Sequence, residues 1–526
     1  MSRVRLVCAG TVTAVVLGYA ALVATALVSS VASARGATAT TRAAVTRVAP
    51  GQDPFYRWTR PLANVKPGTV LRRRTVTLVP AVGGVSTATQ VLYRTTTQLG
   101  APAVTVATII RPASAAKPRI VSYQTAYDAL GAQCDPSYTL AGGDNSFDSA
   151  ETTVMAEFVA KGDTVVVSDY EGENLAFGAG QQSGYGTLDG IRAAEHAIRA
   201  PAGTPVAMIG YSGGSIATEF AAELAHRYAP TLRIAGAAAG GVPVDLAHNL
   251  RYVDGSKVWA SATPAILLGA GRAFKVDTLR YASAYGRKVF GQVRGRCLAQ
   301  FLGKYPGLRV AQLFRPGFKA YLRVPAFATV TNRLIMGRSG TPRGPMMLGV
   351  GNADGTGDGV MVAKDVAGLA REYCRRHVGI TFHEYKGDDH TAAAPPFLLA
   401  AVPFLQQRLE GRRVADGCAK VPPGNSLAPL PLPRYRLKLG IAFKRGSTAI
   451  LRARGGTVSD AVIKLTRGTR LVQTVQLPRV SSKPTTFRLK LHAPARYVFT
   501  LNQAGIRLWR VPIRVFPARG NGTTGR

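Results

Sequence analysis

The hydrophobic pattern changes period between Val206 and Tyr228. Val206-Ala-Met-Ile209 is an unbroken apolar run, and beyond it Ile216, Phe220, Leu224 and Tyr228 recur every four residues. The first pattern predicts a buried strand and the second one face of a helix, with a glycine-rich turn between them. Upstream, β-branched runs at 75–79, 88–93, 104–110 and 119–124, broken by Gly and Pro, predict the opening antiparallel strands of a mixed sheet. Helical spacing follows at 151–161, then a fully apolar strand at 164–168 and a helix at 187–198. From about Asp245 to Arg343 the alternation lapses into helical stretches such as 262–268 and 299–302, which reads as a cap inserted over a site. Strand, helix, strand and helix resume at 345–350, 360–373, 379–383 and 397–409. Buried strands alternating with amphipathic helices predict an α/β domain over 66–415, with its site at the C-terminal ends of the strands.

Pro422, Pro423, Pro429, Pro431 and Pro433 mark 416–433 as a linker. Beyond it, seven short runs at sandwich-like spacing predict an antiparallel β domain over 434–517 and a tail at 518–526.

The N-terminus begins Met1-Ser-Arg3-Val-Arg5, carries no charge from Leu6 to Ala34, and ends that run Ala32-Ser33-Ala34. This predicts a signal peptide over 1–34, with a retained anchor as the rival because the run is long enough to span a bilayer. Residues 35–65 read as a loosely packed leader. Without Cys8, four cysteines remain, an even number that in an exported chain predicts two disulfides. The favoured pairs are Cys134 with Cys297 and Cys374 with Cys418. No C-x-x-C spacing indicates zinc or thiol redox chemistry, and no cofactor is expected.

The net charge of +38 is concentrated at one end: from Val421 onward 20 Lys and Arg face one acid, Asp460. Such an excess predicts a polyanionic neighbour, and the export signal favours an anionic cell wall or membrane surface over nucleic acid. The alternative is compositional drift in an Arg-rich chain.

The turn after Val206–Ile209 is Gly210-Tyr-Ser212-Gly-Gly214, the Gly-x-Ser-x-Gly pattern of a nucleophile elbow in the strand–turn–helix context it requires. A serine nucleophile needs a base, an acid to orient that base, and donors for the oxyanion. Of seven histidines, His390 lies in a loop after the last strand and before the last helix, where this fold places its base; His196, His226, His248, His377, His383 and His492 fall in helices, in the cap, in a strand, on a surface-like turn or in the β domain. The acid should follow the strand at 345–350, where Asp354 and Asp358 both qualify; Asp358 is favoured because the apolar helix start Val360-Met361 follows it directly.

Leu92-Tyr93-Arg94-Thr95, Ser122 to Asp128 with Cys134-Asp-Pro-Ser137, Val167-Ser-Asp169-Tyr-Glu-Gly172, Gly210 to Gly214, Asp358-Gly-Val and Gly387-Asp-Asp-His390 stand in an order that resembles the secretory lipase family, of the lipase A type, over about residues 70–410. The resemblance implies an α/β-hydrolase with a helical cap and a triad of Ser212, Asp358 and His390. It also implies an oxyanion hole from the backbone amides of Gly213 and Asp169, and an exported hydrolase acting on lipid acyl esters. A peptidase or acyltransferase on the same scaffold is the alternative within enzymes. A wall- or membrane-binding protein with a degenerate hydrolase is the alternative outside them.

Overall fold

In the computed structural model, residues 48–114, 117–143, 148–432, 436–442, 447–454, 458–492, 494–503 and 506–516 are described. The signal-peptide and tail assignments lie outside them. Among the described residues no helix is long and apolar enough to cross a membrane.

Nine strands form one mixed sheet in the order β1-β2-β3-β5-β4-β6-β7-β8-β9. β1 (Val70–Val82), β2 (Val85–Thr96) and β3 (Pro102–Ile110) are the antiparallel opening that the β-branched runs predict. β4 (Ile120–Gln124) departs from that expectation: it pairs parallel with β5 (Thr164–Ser168) and with β6 (Pro205–Tyr211). Its five residues are all buried, as a parallel strand covered on both faces must be. β7 (Arg233–Gly240), β8 (Met346–Asn352) and β9 (Ile380–Lys386) continue the parallel half. β7 gives no strand signal in the sequence because Arg-Ile-Ala-Gly-Ala-Ala-Ala-Gly lacks β-branched residues after Ile234. Small residues serve there, since a Cβ on Gly240 would run into the Phe397 ring.

Helices α1 (Asp148–Ala160), α2 (Gly180–Ile198), α3 (Gly213–Tyr228), α4 (Leu246–Tyr252), α5 (Thr263–Phe274), α6 (Ala284–Val293), α7 (Pro325–Arg333), α8 (Ala363–Arg375) and α9 (Ala394–Leu409) complete the domain. One apolar cluster packs α2, α3 and α8 on one face of the sheet, and a second packs α1 and α9 on the other. Between β7 and β8, α4 to α7, a one-turn α-helix at Leu298–Phe301 and short 3-10 turns form the cap, with its own core of Phe274, Tyr281, Phe290, Phe314 and Phe327.

Two expectations are corrected. The latter part of the leader is packed: Phe55, Tyr56, Trp58 and Leu62 lie on Leu92, Val104 and Val106, and Arg74 pairs with Asp53. Its aromatic residues bring apolar area that the polar average of the segment conceals. The Pro-rich linker is also docked: Val421 is buried in the main core, the Asn425 amide donates to the Lys364 carbonyl at 2.8 Å, and the Leu430 amide donates to Asn332 Oδ1 at 2.6 Å.

Cys134 is bonded to Cys297 and Cys374 to Cys418. The first ties the loop after β4 to the cap; the second ties α8 to the chain leaving the domain. Beyond the linker, β10 (Arg436–Ala442), β11 (Ser447–Arg454) and β14 (Thr485–Leu489) form one antiparallel sheet. β12 (Val458–Arg467), β13 (Arg470–Val480), β15 (Ala495–Gln503) and β16 (Ile506–Val515) form another, and one apolar cluster including Leu451, Ile463, Phe487 and Phe499 fills the space between them.

Candidate active site

The turn between β6 and α3 is as tight as its glycines require. A Cβ on Gly210 would collide with the Gly214 carbonyl, and one on Gly214 with the Gln124 carbonyl. Ser212 itself sits at φ 54°, ψ −123°, a backbone conformation that L side chains rarely adopt and that strain at a functional turn explains. The strained turn aims Oγ away from the strand and toward His390.

His390 Nε2 lies 2.7 Å from Ser212 Oγ, and His390 Nδ1 lies 2.8 Å from Asp358 Oδ2. Asp358 is buried, and its other oxygen accepts from the amides of Val360 (2.9 Å) and Met361 (2.6 Å). Those two bonds fix the carboxylate and leave Oδ2 for the imidazole. The His390 backbone is clamped as well: its amide donates to the Asp358 carbonyl (2.8 Å), and the Tyr211 hydroxyl donates to its carbonyl (2.7 Å). Trp259 of the cap stands edge-on to the His390 ring, 5.1 Å between centroids.

The fold brings Ser212, Asp358, His390 and Gly213 together. Asp354 is left outside: it is exposed, its Oδ1 closes a turn by accepting from Thr356 and Gly357, and its Oδ2 accepts from the Tyr252 hydroxyl at 2.8 Å.

The Asp169 expectation is overturned. Its amide donates to the Val106 carbonyl at 2.9 Å, and its carboxylate accepts from the Ser137 amide (2.8 Å) and hydroxyl (2.6 Å). The physical reason is strand order. Asp169 follows β5, and β4 lies between β5 and the elbow strand β6. The loop beside the elbow is the one after β4, and the residue it delivers is Asp128.

Asp128 has a positive φ of 39°, and a Cβ on Gly213 would fall on its carboxylate. Among the described residues, neither its amide nor that of Gly213 donates to a protein acceptor. Burial pushes the Asp128 carboxyl up to about 7 against the opposing pull of His390, and Oδ1 has no hydrogen-bond partner. The sequence signal for Asp128 is its place in the loop after a buried strand, which becomes decisive only when the neighbour of the elbow strand is known.

Ser212, Gly213 and Asp128 open on a cavity of about 80 Å³ walled by Phe177, Leu246, Leu250, Trp259, Ile266 and Met361. Among the described residues no group of His, Cys, Asp and Glu could hold a metal ion. The geometry can deliver a hydroxyl to a base with an oriented imidazole in a largely apolar enclosure.

Residues 145–417 match the profile of secretory lipases. Over 382 residues the chain is 31% identical to a Mycobacterium tuberculosis protein named probable inactive lipase MT1628, covering 70% of this chain and 84% of that one. The chain belongs to the secretory lipase family. A secreted triacylglycerol lipase, LIP4 of Malassezia globosa, is another relative, 31% identical over 391 residues, with 70% of this chain and 83% of that one covered. Among solved structures, the closed state of Candida antarctica lipase A superposes with a TM-score of 0.66 at 28% identity, over 73% of this chain and 91% of that chain. This secretory lipase is therefore a carboxylic ester hydrolase built on the α/β-hydrolase fold. The basic β domain lies beyond the matched residues 145–417.

Proposed function

We propose that the protein is an exported serine hydrolase that cleaves lipid acyl esters through an acyl-enzyme on Ser212. The observation that carries this reading is the unbroken Ser212–His390–Asp358 hydrogen-bond chain opening on an apolar cavity. Neutral His390 takes the Ser212 proton as Oγ attacks the ester carbonyl; Asp358 holds the imidazole and balances its charge. The amides of Gly213 and Asp128 receive the oxyanion, replacing the pair with Asp169. His390 then returns the proton to the leaving alcohol, and water, activated by the same imidazole, releases the acid.

One relative is named probable inactive, so completeness of the site matters. Here acid, base and nucleophile are all within hydrogen-bond reach, which supports activity. The basic β domain is read as holding the enzyme at an anionic surface. Hydrolysis of p-nitrophenyl esters of graded acyl length by wild type and Ser212→Ala tests the reading. Turnover lost in a variant whose melting temperature is unchanged is the expected result; an active Ser212→Ala enzyme rejects it.

A further inference from the structure

Part of the charge beyond Val421 is set out in register on the outer face of one sheet, while the other sheet exposes cations of its own, with Arg496 opposite Arg514. In β10 and β11 the inward positions Leu437, Leu439, Leu451 and Ala453 pack in the sandwich core with Phe487 and Leu489 of β14. The alternate positions point outward, and Arg436, Lys438, Arg452, Arg454 and Arg488 are all exposed. Pairing places Arg436 opposite Arg454 and Lys438 opposite Arg452. Like charges directly across an antiparallel pair weaken it. Among the described residues no carboxylate forms an ion pair with any of the five. Drift toward arginine would add cations to a surface that also carries acids; it does not account for 20 cations against a single acid over this stretch.

A second feature points to the kind of partner. Ile450 lies within this array, opposite Gly440 on one side and Thr486 on the other, and is 37% exposed. With no side chain on one neighbour and a short one on the other, its aliphatic group stands above the sheet among the cations. A soluble polyanion has no use for that group. A phospholipid surface does, because guanidinium groups bind the phosphates while an aliphatic side chain enters the headgroup boundary.

We infer that the outer face of the β10–β11–β14 sheet docks on an anionic phospholipid surface, with Lys438, Arg452, Arg436 and Arg454 on headgroup phosphates and Ile450 inserted between them. This deepens the surface-docking reading above and rests on it. Docking there would concentrate the enzyme where acyl esters lie.

The test is flotation of the full mature chain, carrying Ser212→Ala so that the vesicles stay intact, with phosphatidylcholine vesicles and with phosphatidylcholine–phosphatidylglycerol vesicles at low and high salt. Binding only to the anionic vesicles, lost at high salt, is expected. Adding Lys438→Gln with Arg452→Gln should lower partitioning by about 25-fold, roughly fivefold per cation. This pair removes a repulsive contact, so folding is not at risk. Lys464→Gln with Arg510→Gln, exposed on the other sheet, is the charge-matched control and should have a much smaller effect. Equal loss in both double variants, equal binding to neutral vesicles, or retention on an acidic wall polymer without flotation would each overturn the inference. Hydrolysis of a soluble short-chain ester, measured with Ser212 intact and Lys438→Gln/Arg452→Gln present, should be unchanged. That measurement separates failure of docking from failure of the hydrolase reading.

Discussion

The residue before Ser212 holds the proposed base: the Tyr211 hydroxyl donates to the backbone carbonyl of His390 at 2.7 Å, 179 positions along the chain. The last residue of β6 thus anchors the loop after β9. Tyr211 is buried and is not among the residues lining the cavity, so the bond positions the base rather than the substrate. Tyr211→Phe should lower kcat about tenfold with KM nearly unchanged, because a small shift of the imidazole weakens proton transfer. Stability should fall by about 1 kcal/mol, the scale of one hydrogen bond. Steady-state kinetics beside thermal unfolding separate the two effects, and a change confined to KM would contradict the positioning role.

The two aspartates after β8 make a discriminating pair. Asp358 touches His390, whereas Asp354 closes an exposed turn. Asp358→Asn keeps the shape but presents an amide to the imidazole and favours the wrong tautomer, for which a drop of about 10⁴ in kcat is the expected scale. Asp354→Asn should leave kcat within a few-fold of wild type. Comparable losses in the two variants would remove Asp358 from its assigned role.

How far the site could be read from the sequence depends on where the information lies. The elbow was legible because its evidence is local: the apolar period switches across five residues, and the strained Ser212 backbone satisfies that switch. Loop position put His390 and Asp358 forward as base and acid, and the fold brings both into one hydrogen-bond chain with Ser212. The oxyanion partner was not legible in this way, because choosing between Asp128 and Asp169 requires the lateral order β5-β4-β6, which the order of runs along the chain does not contain. Strand β7 and the first turns of α2 were silent for a different reason. Ala and Gly in β7, and Gly180-Gln-Gln-Ser-Gly184 in α2, have weak intrinsic preference, and tertiary packing decides their state.

Several buried carboxyls make stability decline as pH rises. Burial pushes Asp128 up to about 7; burial and the neighbouring Glu223 raise Glu219, and burial and the charge of Asp128 raise Glu171. A carboxyl raised in the fold binds its proton there after the unfolded chain has released it, so stability is full below the unfolded pKa and declines as pH climbs. For Asp128 the window runs from 3.8 to about 7, and ionisation weakens the fold by on the order of 4 kcal/mol. The melting temperature should therefore fall from mildly acid to alkaline pH. Asp128→Asn and Glu219→Gln should each flatten the fall. A melting temperature that climbs through this range would show that these groups ionise freely in the fold.

The cavity at Ser212 also bears on acyl length. It holds about 80 Å³, and Leu246, Leu250 and Ile266 are among the side chains that wall it. Behind the same three side chains lies a second cavity of about 10 Å³, reaching Val276, Tyr321 and Phe327 in the cap core. A cavity of about 150 Å³ holds a benzene ring, so the outer space matches a short acyl chain, and a longer one running toward the cap core would meet the three side chains. Ile266 is half-buried on α5, and trimming it disturbs the cap less than trimming Leu246 or Leu250 would. Ile266→Ala should join the two cavities and move the preferred acyl length upward in a p-nitrophenyl ester series, each further buried methylene contributing about 0.8 kcal/mol to kcat/KM. Activity on the shortest esters should change little, since their carbonyl still meets Ser212 beside Gly213 and Asp128. An unchanged chain-length profile would mean that the acyl chain leaves Ser212 by another route.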